Sequence, residues 1–311
     1  MRILKVYRLG EIMDHSKLNI LKQALPYIQR FKGKIFVIKM SGKVVEKESV
    51  LRSICEEVAL LNQVGFKPVI IHGGGKQVNQ LADIMGIDQT IIDGRRVTNK
   101  ETLELTKMVF GGVVNTNIAS ALRRLRVKTI GLSGLDGDII TAKKRSPKTV
   151  MDEDHQPVEV DFGYVGDVVA VDTGLVELLL SQNYVPVISS LGSCADGEVF
   201  NINADTIASE IAKALKAEKL IFLTDVGGIY TDICDLESKI PILDVVAAQD
   251  LIDSGVVKDG MIPKIASILE LLKSGVKSAH VVGGDETNVL LREVFTDDGA
   301  GTMIYRKSEN L

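Results

Sequence analysis

The chain has 311 residues, 45% of them hydrophobic, 25% charged and 5% aromatic, which is enough apolar material for one large α/β domain or two lobes. A formal net charge of -4 and a pI near 5.7, with no long basic run, argue against nucleic acid or an anionic membrane as the main partner, so an anionic ligand has to be met by local groups. Cys55, Cys194 and Cys234 stand far apart without CxxC spacing. This speaks against a disulfide framework or a structural zinc site and points to the reduced cytoplasm. Residues 1 to 16 lack the apolar core of a signal segment, and no run approaches the roughly 18 apolar residues of a membrane span.

Leu18, Leu21, Leu25 and Ile28 recur at steps of three and four residues, which predicts a helix from about His15 to Arg30, kinked near Lys22 to Pro26 by the missing proline N–H. Such a helix either pads the domain surface or reaches a neighbouring subunit. Ile35 to Ile38 then read as a buried strand that ends at Ser41-Gly42. Lys39 stands at its mouth, either snorkelling to solvent or projecting toward a phosphate held by the turn's amides.

Val50, Ile54, Val58 and Leu61 mark a helix ending at Gly65, and Pro68 to Ile71 a second strand; this strand, helix, strand order predicts a parallel sheet with helical crossovers. The second strand runs into His72-Gly73-Gly74-Gly75-Lys76 and a helix to about Met85. Consecutive glycines at a strand-to-helix junction let backbone N–H groups approach an anion closely. Neither GxxxxGK[ST] nor GxGxxG occurs, so phosphate has to be held in another way. At Gly94-Arg95-Arg96-Val97-Thr98 a loop enters a helix beginning near Asn99, its arginines offering a carboxylate fork or a solvated surface.

Residues 112 to 126 read as a further helix and Lys128 to Leu132 as a strand leading into Ser133 to Gly137. The stretch Asp138 to Ala142, a polar hairpin region to about Pro157 and the alternating Gly163 to Val171 suggest antiparallel structure that acts as a lid. A buried strand at Tyr184 to Ser190 marks the boundary between lobes.

Beyond it, Asn201, Asn203 and Asp205 cluster at a helix start, where capping explains one of the three. Leu220 to Leu223 is a strand ending in Thr224-Asp225-Val226-Gly227-Gly228. Lys258-Asp259-Gly260-Met261-Ile262-Pro263-Lys264 opens a helix with Ile265, Ile268, Leu269 and Leu272 on its apolar face. Lys264 is a cation at a helix N-terminus, a conflict that a nearby anion removes. Ser278 to Val282 and Thr302 to Tyr305 complete the β elements.

Taken in order, Lys39 with Ser41-Gly42, His72 to Gly75, Gly94 to Thr98, Ser133 to Gly137, Gly163 to Gly166, Asn201 to Asp205, Leu223 to Gly228, Asp259 to Lys264 and Phe295 to Ile304 resemble the amino acid kinase family, and within it the branch that phosphorylates N-acetyl-L-glutamate. The resemblance covers residues 18 to 305. It implies an αβα sandwich with an open, mostly parallel sheet, an N-terminal helical extension at 1–32, an amino-acid lobe at 33–190 and an ATP lobe at 191–311. It also implies ATP with Mg2+, the γ-phosphoryl passing to the side-chain carboxylate in arginine biosynthesis.

Carried over position by position, Lys39 and Lys264 neutralise the phosphoryl and Asp205 orients both. Gly42, Gly73 and Gly74 donate N–H groups, Arg96 clamps the α-carboxylate, and Asn201 holds the acetamido or carboxylate group. Thr224, Asp225, Gly228 and Met261 line the nucleotide site, and no protein metal cluster is implied. A glutamate-type carboxylate is ionised at neutral pH and needs no general base, which leaves His72 a structural role.

The sequence departs from the family at Ser41, Lys43, Lys76 and Leu135, and the extra lysines admit a larger or more anionic acyl group, as in N-succinylglutamate or N-acetyl-aminoadipate. The early helix is similar to that of arginine-inhibited members that form homohexamers. His280, Asp298 and Gly301 fall where that group binds L-arginine, with Asp298 one methylene shorter than the usual glutamate. The reading from another class is a protein that senses ATP or arginine without catalysis.

Overall fold

A computed structural model describes residues 15–92, 95–151, 157–232, 234–257 and 261–306. Gly94 and the Lys258-Asp259-Gly260 part of the sequence motifs lie outside the described residues. The central sheet has eight strands: β1 (Ile35–Met40), β2 (Lys67–His72), β3 (Thr129–Ser133), β4 (Val185–Ser189), β5 (Lys219–Thr224), β6 (Ile242–Asp244), β7 (Ser278–Gly283) and β8 (Thr302–Tyr305). Their spatial order is β6-β8-β7-β5-β1-β2-β4-β3. From β7 to β3 every pair is parallel, while β8 runs antiparallel to β7. The central position of β1 follows from its composition, because Phe36, Val37, Ile38 and Met40 are all fully buried and a strand covered on both faces reads as continuous apolar sequence.

Side-chain alternation sorts the sheet into two cores. Phe36, Ile38, Met40 and Ile70 pack with helices α1 (His15–Phe31), α3 (Glu48–Gln63), α4 (Gly75–Met85) and α6 (Asn115–Arg124). Val37, Val69, Ile71 and Phe222 pack on the other face with α7 (Gly174–Ser181), α8 (Ala204–Ala214), α9 (Val245–Asp253) and α10 (Met261–Lys273). The short α2 (Gly42–Glu46) follows β1, α5 (Lys100–Lys107) precedes α6, and α11 (Val289–Phe295) joins β7 to β8. Among the described residues no helix is long and apolar enough to cross a membrane.

Helix α1 forms as expected, from His15 to Phe31 with Pro26 inside it. Several other elements differ from the sequence expectation. Residues 100–124 form one continuous helical run in place of a separate helix from 112, because α5 and α6 are joined by the π-helical turn Met108–Val114. Gly111 and Gly112 sit inside that turn rather than breaking it. Arg95–Arg96 pair antiparallel with Ile91–Ile92 as a two-residue strand. The strand expected at Asp138 to Ala142 forms at Ile140–Lys144, pairing antiparallel with Gly166–Val171 in a second, four-stranded sheet.

Candidate active site

The parallel strands β1, β2, β4 and β5 end on one edge of the sheet, where the connections turn away and a crevice opens, the usual place for a ligand in an open α/β sheet. Lys39 shares its face of β1 with Val37, so its side chain points toward α8 and α10. Asp205 is the second residue of α8, where Asn203 serves as cap and accepts from the N–H groups of Asp205 and Thr206 at 2.7 and 3.3 Å. Lys264 stands in the first turn of α10. Lys39 Nζ lies 2.7 Å from Asp205 Oδ1, and Lys264 Nζ lies 3.0 Å from Asp205 Oδ2.

The anion that Lys264 requires is therefore Asp205, and the ammonium also faces the Phe222 ring at 5.4 Å. Lys39 on Oδ1 and Lys264 on Oδ2 give each carboxylate oxygen a charged partner. Burial alone would raise the Asp205 pKa; the charges of Lys39 and then Lys264 reverse that and hold it at about 2. Two ammonium groups on one carboxylate leave an excess positive charge at the base of the crevice.

That crevice is a cleft of about 280 Å³, and Lys39, Gly42, Gly73, Gly74, Arg96, Asn201 and Asp205 all line it. Gly73 and Gly74 link β2 to α4, and among the described residues neither N–H donates a hydrogen bond. A Cβ on Gly74 would lie 3.0 Å from Phe110 and 3.1 Å from Val114, so glycine at this position lets the loop approach the helical wall closely. Gly42 opens α2, and its carbonyl accepts from Gln77 Nε2 at 2.8 Å.

Arg96 is held by neutral acceptors alone among the described residues: Gln89, Asn79 and Gly75 O, the last at 2.9 Å. Burial pushes its pKa down, and a cation with no carboxylate of its own is poised for an anionic ligand. Asn201 donates to Thr98 Oγ1 at 3.2 Å.

Thr224 and Asp225 lie at the end of β5 in an adjoining hollow of about 210 Å³. There Lys43 pairs with Asp225 and Lys76 with Glu46, so both extra lysines already hold carboxylate partners outside the main cleft. Lys264, Gly228 and Met261 line neither hollow, and Lys264 is joined to the main cleft's lining through Asp205. His280, Asp298 and Gly301 meet in a third, small pocket with Lys219 and Glu293. Here His280 is fully buried against Ser278 and Glu293, and Glu293 also accepts from Ala300 N at 2.7 Å and Gly301 N at 3.2 Å.

Sequence reasoning missed Thr106, Phe110, Ile91 and Ser190, which also line the main cleft. The first two arrive on the helical run whose π turn has no sequence period of its own. Ser190 was read as the last residue of a buried strand; the strand ends at Ser189, and Ser190 N donates to His72 O at 3.1 Å beside the glycine loop.

The amino acid kinase family model matches residues 34–283. An acetylglutamate kinase of Methanocaldococcus jannaschii is 45% identical over 291 residues, covering 94% of this chain and 97% of the relative. One from Aquifex aeolicus is 41% identical over 300 residues, covering 95% and 99%. Among solved structures, an N-acetylglutamate synthase from Neisseria gonorrhoeae complexed with coenzyme A and N-acetyl-glutamate superposes with a TM-score of 0.79 at 27% identity, covering 94% of this chain and 64% of that one. A carbamate kinase from Giardia, at 15% identity and a TM-score of 0.64 over 88% of this chain and 99% of its own, shares the fold. By family match, identity and architecture together, the chain is a kinase that belongs to the amino acid kinase family.

Proposed function

We propose that this chain transfers the γ-phosphoryl group of ATP to the side-chain carboxylate of N-acetyl-L-glutamate, giving N-acetylglutamyl phosphate for arginine biosynthesis. The observation that carries this reading is the convergence of Lys39 and Lys264 on the two oxygens of Asp205, which lines one cleft with the glycine loop. The acceptor carboxylate has an ordinary pKa of about 4.3 and is already ionised at neutral pH. No base is needed. What remains is to offset the charge on the transferring group and to hold both partners in line.

Lys39 and Lys264 meet the phosphoryl oxygens, and Asp205 keeps their ammonium groups apart from each other and aimed at one point. Gly42, Gly73 and Gly74 offer N–H donors, Arg96 takes the α-carboxylate, and Asn201 takes the acetamido or carboxylate group. Asn201 and Asp205 belong to the segment 191–311, yet line the same cleft as Gly73 and Arg96 from 33–190. The amino-acid lobe thus borrows two residues from the nucleotide lobe. Thr224 and Asp225 border the nucleotide, with Gly228 and Met261 farther along its path.

Among the described residues no group of three or more His, Cys, Asp or Glu side chains is arranged to hold a metal. The carboxylates nearest the phosphates, Asp205 and Asp225, are both engaged by lysines. Asp225, on exchanging its Lys43 partner, would be the carboxylate to hold Mg2+ beside the nucleotide. When bound, the ion would supply charge neutralisation on the nucleotide.

L-Arginine as an effector follows from the resemblance at His280, Asp298 and Gly301; α1 is tied to the same pocket by the Tyr27 hydroxyl donating to Asp297 at 2.6 Å. A homohexamer built through α1 follows from the resemblance of that helix.

An ADP-release assay across N-acetylglutamate, N-succinylglutamate and N-acetyl-aminoadipate tests the assignment. Turnover with the first at the highest kcat/KM is expected. No turnover with it, or a higher kcat/KM with either of the others, overturns the substrate.

A further inference from the structure

His72 ends β2 with its ring on the α6 face, and Asn115, the first residue of α6, is buried directly behind it. The Asn115 amide nitrogen lies 2.9 Å from Val187 O, 3.1 Å from Leu132 O and 3.1 Å from His72 Nε2, its two N–H groups shared among the three acceptors. It thereby ties three neighbouring strands together. A Cβ on Gly131 would stand 2.0 Å from Asn115 Oδ1, so β3 admits this amide because it carries glycine at the point of contact.

An amide NH2 donates and does not accept, so His72 Nε2 is the accepting nitrogen, and the proton of the neutral ring sits on Nδ1. That proton is donated to Gly73 O at 2.8 Å. Burial pushes the His72 pKa down to about 4, which keeps the ring neutral through the physiological range. In a trans peptide the carbonyl and the following N–H point in opposite directions. Once Gly73 O is drawn back onto the ring, Gly74 N–H is turned away from it, and among the described residues that N–H has no acceptor. Gly74 itself lines the main cleft.

We propose that Asn115 and His72 are positioning residues, which set the Gly73–Gly74 peptide so that Gly74 N–H faces the transferring phosphoryl group. The target of that N–H rests on the function proposed above; the peptide's setting does not. The chain of bonds runs from the α6 layer through the sheet to the cleft without touching substrate, and its product is the direction of one backbone donor.

In the unaltered protein, nitrogen-15 spectra of the histidine rings, with His72 assigned from the signal lost in His72→Asn, should show Nδ1 protonated and Nε2 bare from about pH 5 to about pH 9. A ring protonated on Nε2 overturns the proposal whatever the protein phosphorylates. His72→Leu removes the donor and should lower kcat at saturating substrates about tenfold or more, with both KM values within about threefold. His72→Asn, whose amide nitrogen overlays Nδ1, should recover most of that loss. Asn115→Leu removes the donor that Nε2 accepts from; the ring should then populate the Nε2-protonated tautomer, and kcat should fall as in His72→Leu. Equal loss in His72→Leu and His72→Asn, or full activity with the proton moved, overturns the proposal. If the unaltered protein does not turn over N-acetylglutamate, the functional reading fails, and the ring spectra still decide the tautomer.

Discussion

Replacing Lys264 by methionine keeps most of the side-chain volume on α10 and removes one ammonium from Asp205 Oδ2. An ammonium about 4 Å from a unit phosphoryl charge, at an effective dielectric of about 20, contributes about 4 kcal/mol of attraction. Lys264 is 15% exposed and shares its charge with Asp205, so about 3 kcal/mol is a reasonable share for the transition state, in line with the loss of one preorganised donor. At 1.36 kcal/mol per decade, kcat should fall by a factor of about 150. Asp205 keeps Lys39 at 2.7 Å, so the fold should survive, and a urea midpoint measured beside the kinetics separates lost chemistry from lost folding. The assay is ADP release at saturating ATP and N-acetylglutamate. A folded variant with kcat within about threefold of the starting protein would refute the charge-neutralisation argument.

Arg96→Ala should raise KM for the amino acid by about tenfold to a hundredfold, the worth of a charged hydrogen-bonded pair, and leave KM for ATP alone; a change confined to ATP would place the guanidinium at the wrong substrate. The two lysines hold the Asp205 carboxyl pKa at about 2, below its ordinary 3.8, so its ionised form contributes about 2 kcal/mol of stability. The sign is that of a depressed carboxylate: the contribution is whole above about pH 4 and fades as pH falls toward about 2. Urea titrations of the protein and of Asp205→Asn across that range should converge at the acid end, and parallel curves would contradict the assignment. Gly74→Ala places a methyl 3.0 Å from Phe110 and 3.1 Å from Val114, and should cost about 1 to 3 kcal/mol by overpacking as well as reduce kcat. Unchanged melting and turnover would show that the loop has room to spare.

The strands of the central sheet were legible in the amino-acid order because burial on both faces leaves them almost unbroken apolar runs, as at Phe36 to Ile38 and Leu220 to Leu223. Lys39, Asp205 and Lys264 could be read as a group through the family resemblance, and independently through the misfit of a lysine at the start of α10. The joining of α5 to α6 was not legible. A π turn spends one extra residue without altering the apolar pattern on either side, so the run from 100 to 124 read as two helices. The partners of Lys43 and Lys76 were equally hidden, since Asp225 and Glu46 lie 182 and 30 positions away along the chain. Without the topology, a surplus lysine near a glycine loop looks available for ligand when it is already matched.

Strand β1 is bonded along its length to β2 on one side and β5 on the other, so the backbone beneath Lys39 is stitched into both flanks of the sheet at once. Lys264 rides on a helix that rests on one flank only. Any sliding of α10 over the sheet therefore changes the gap between the two nitrogens while the strand beneath Lys39 stays still. In this architecture the width of the phosphate seat would be governed by helix travel, and a nucleotide that draws α10 inward would tighten the grip on its own terminal group.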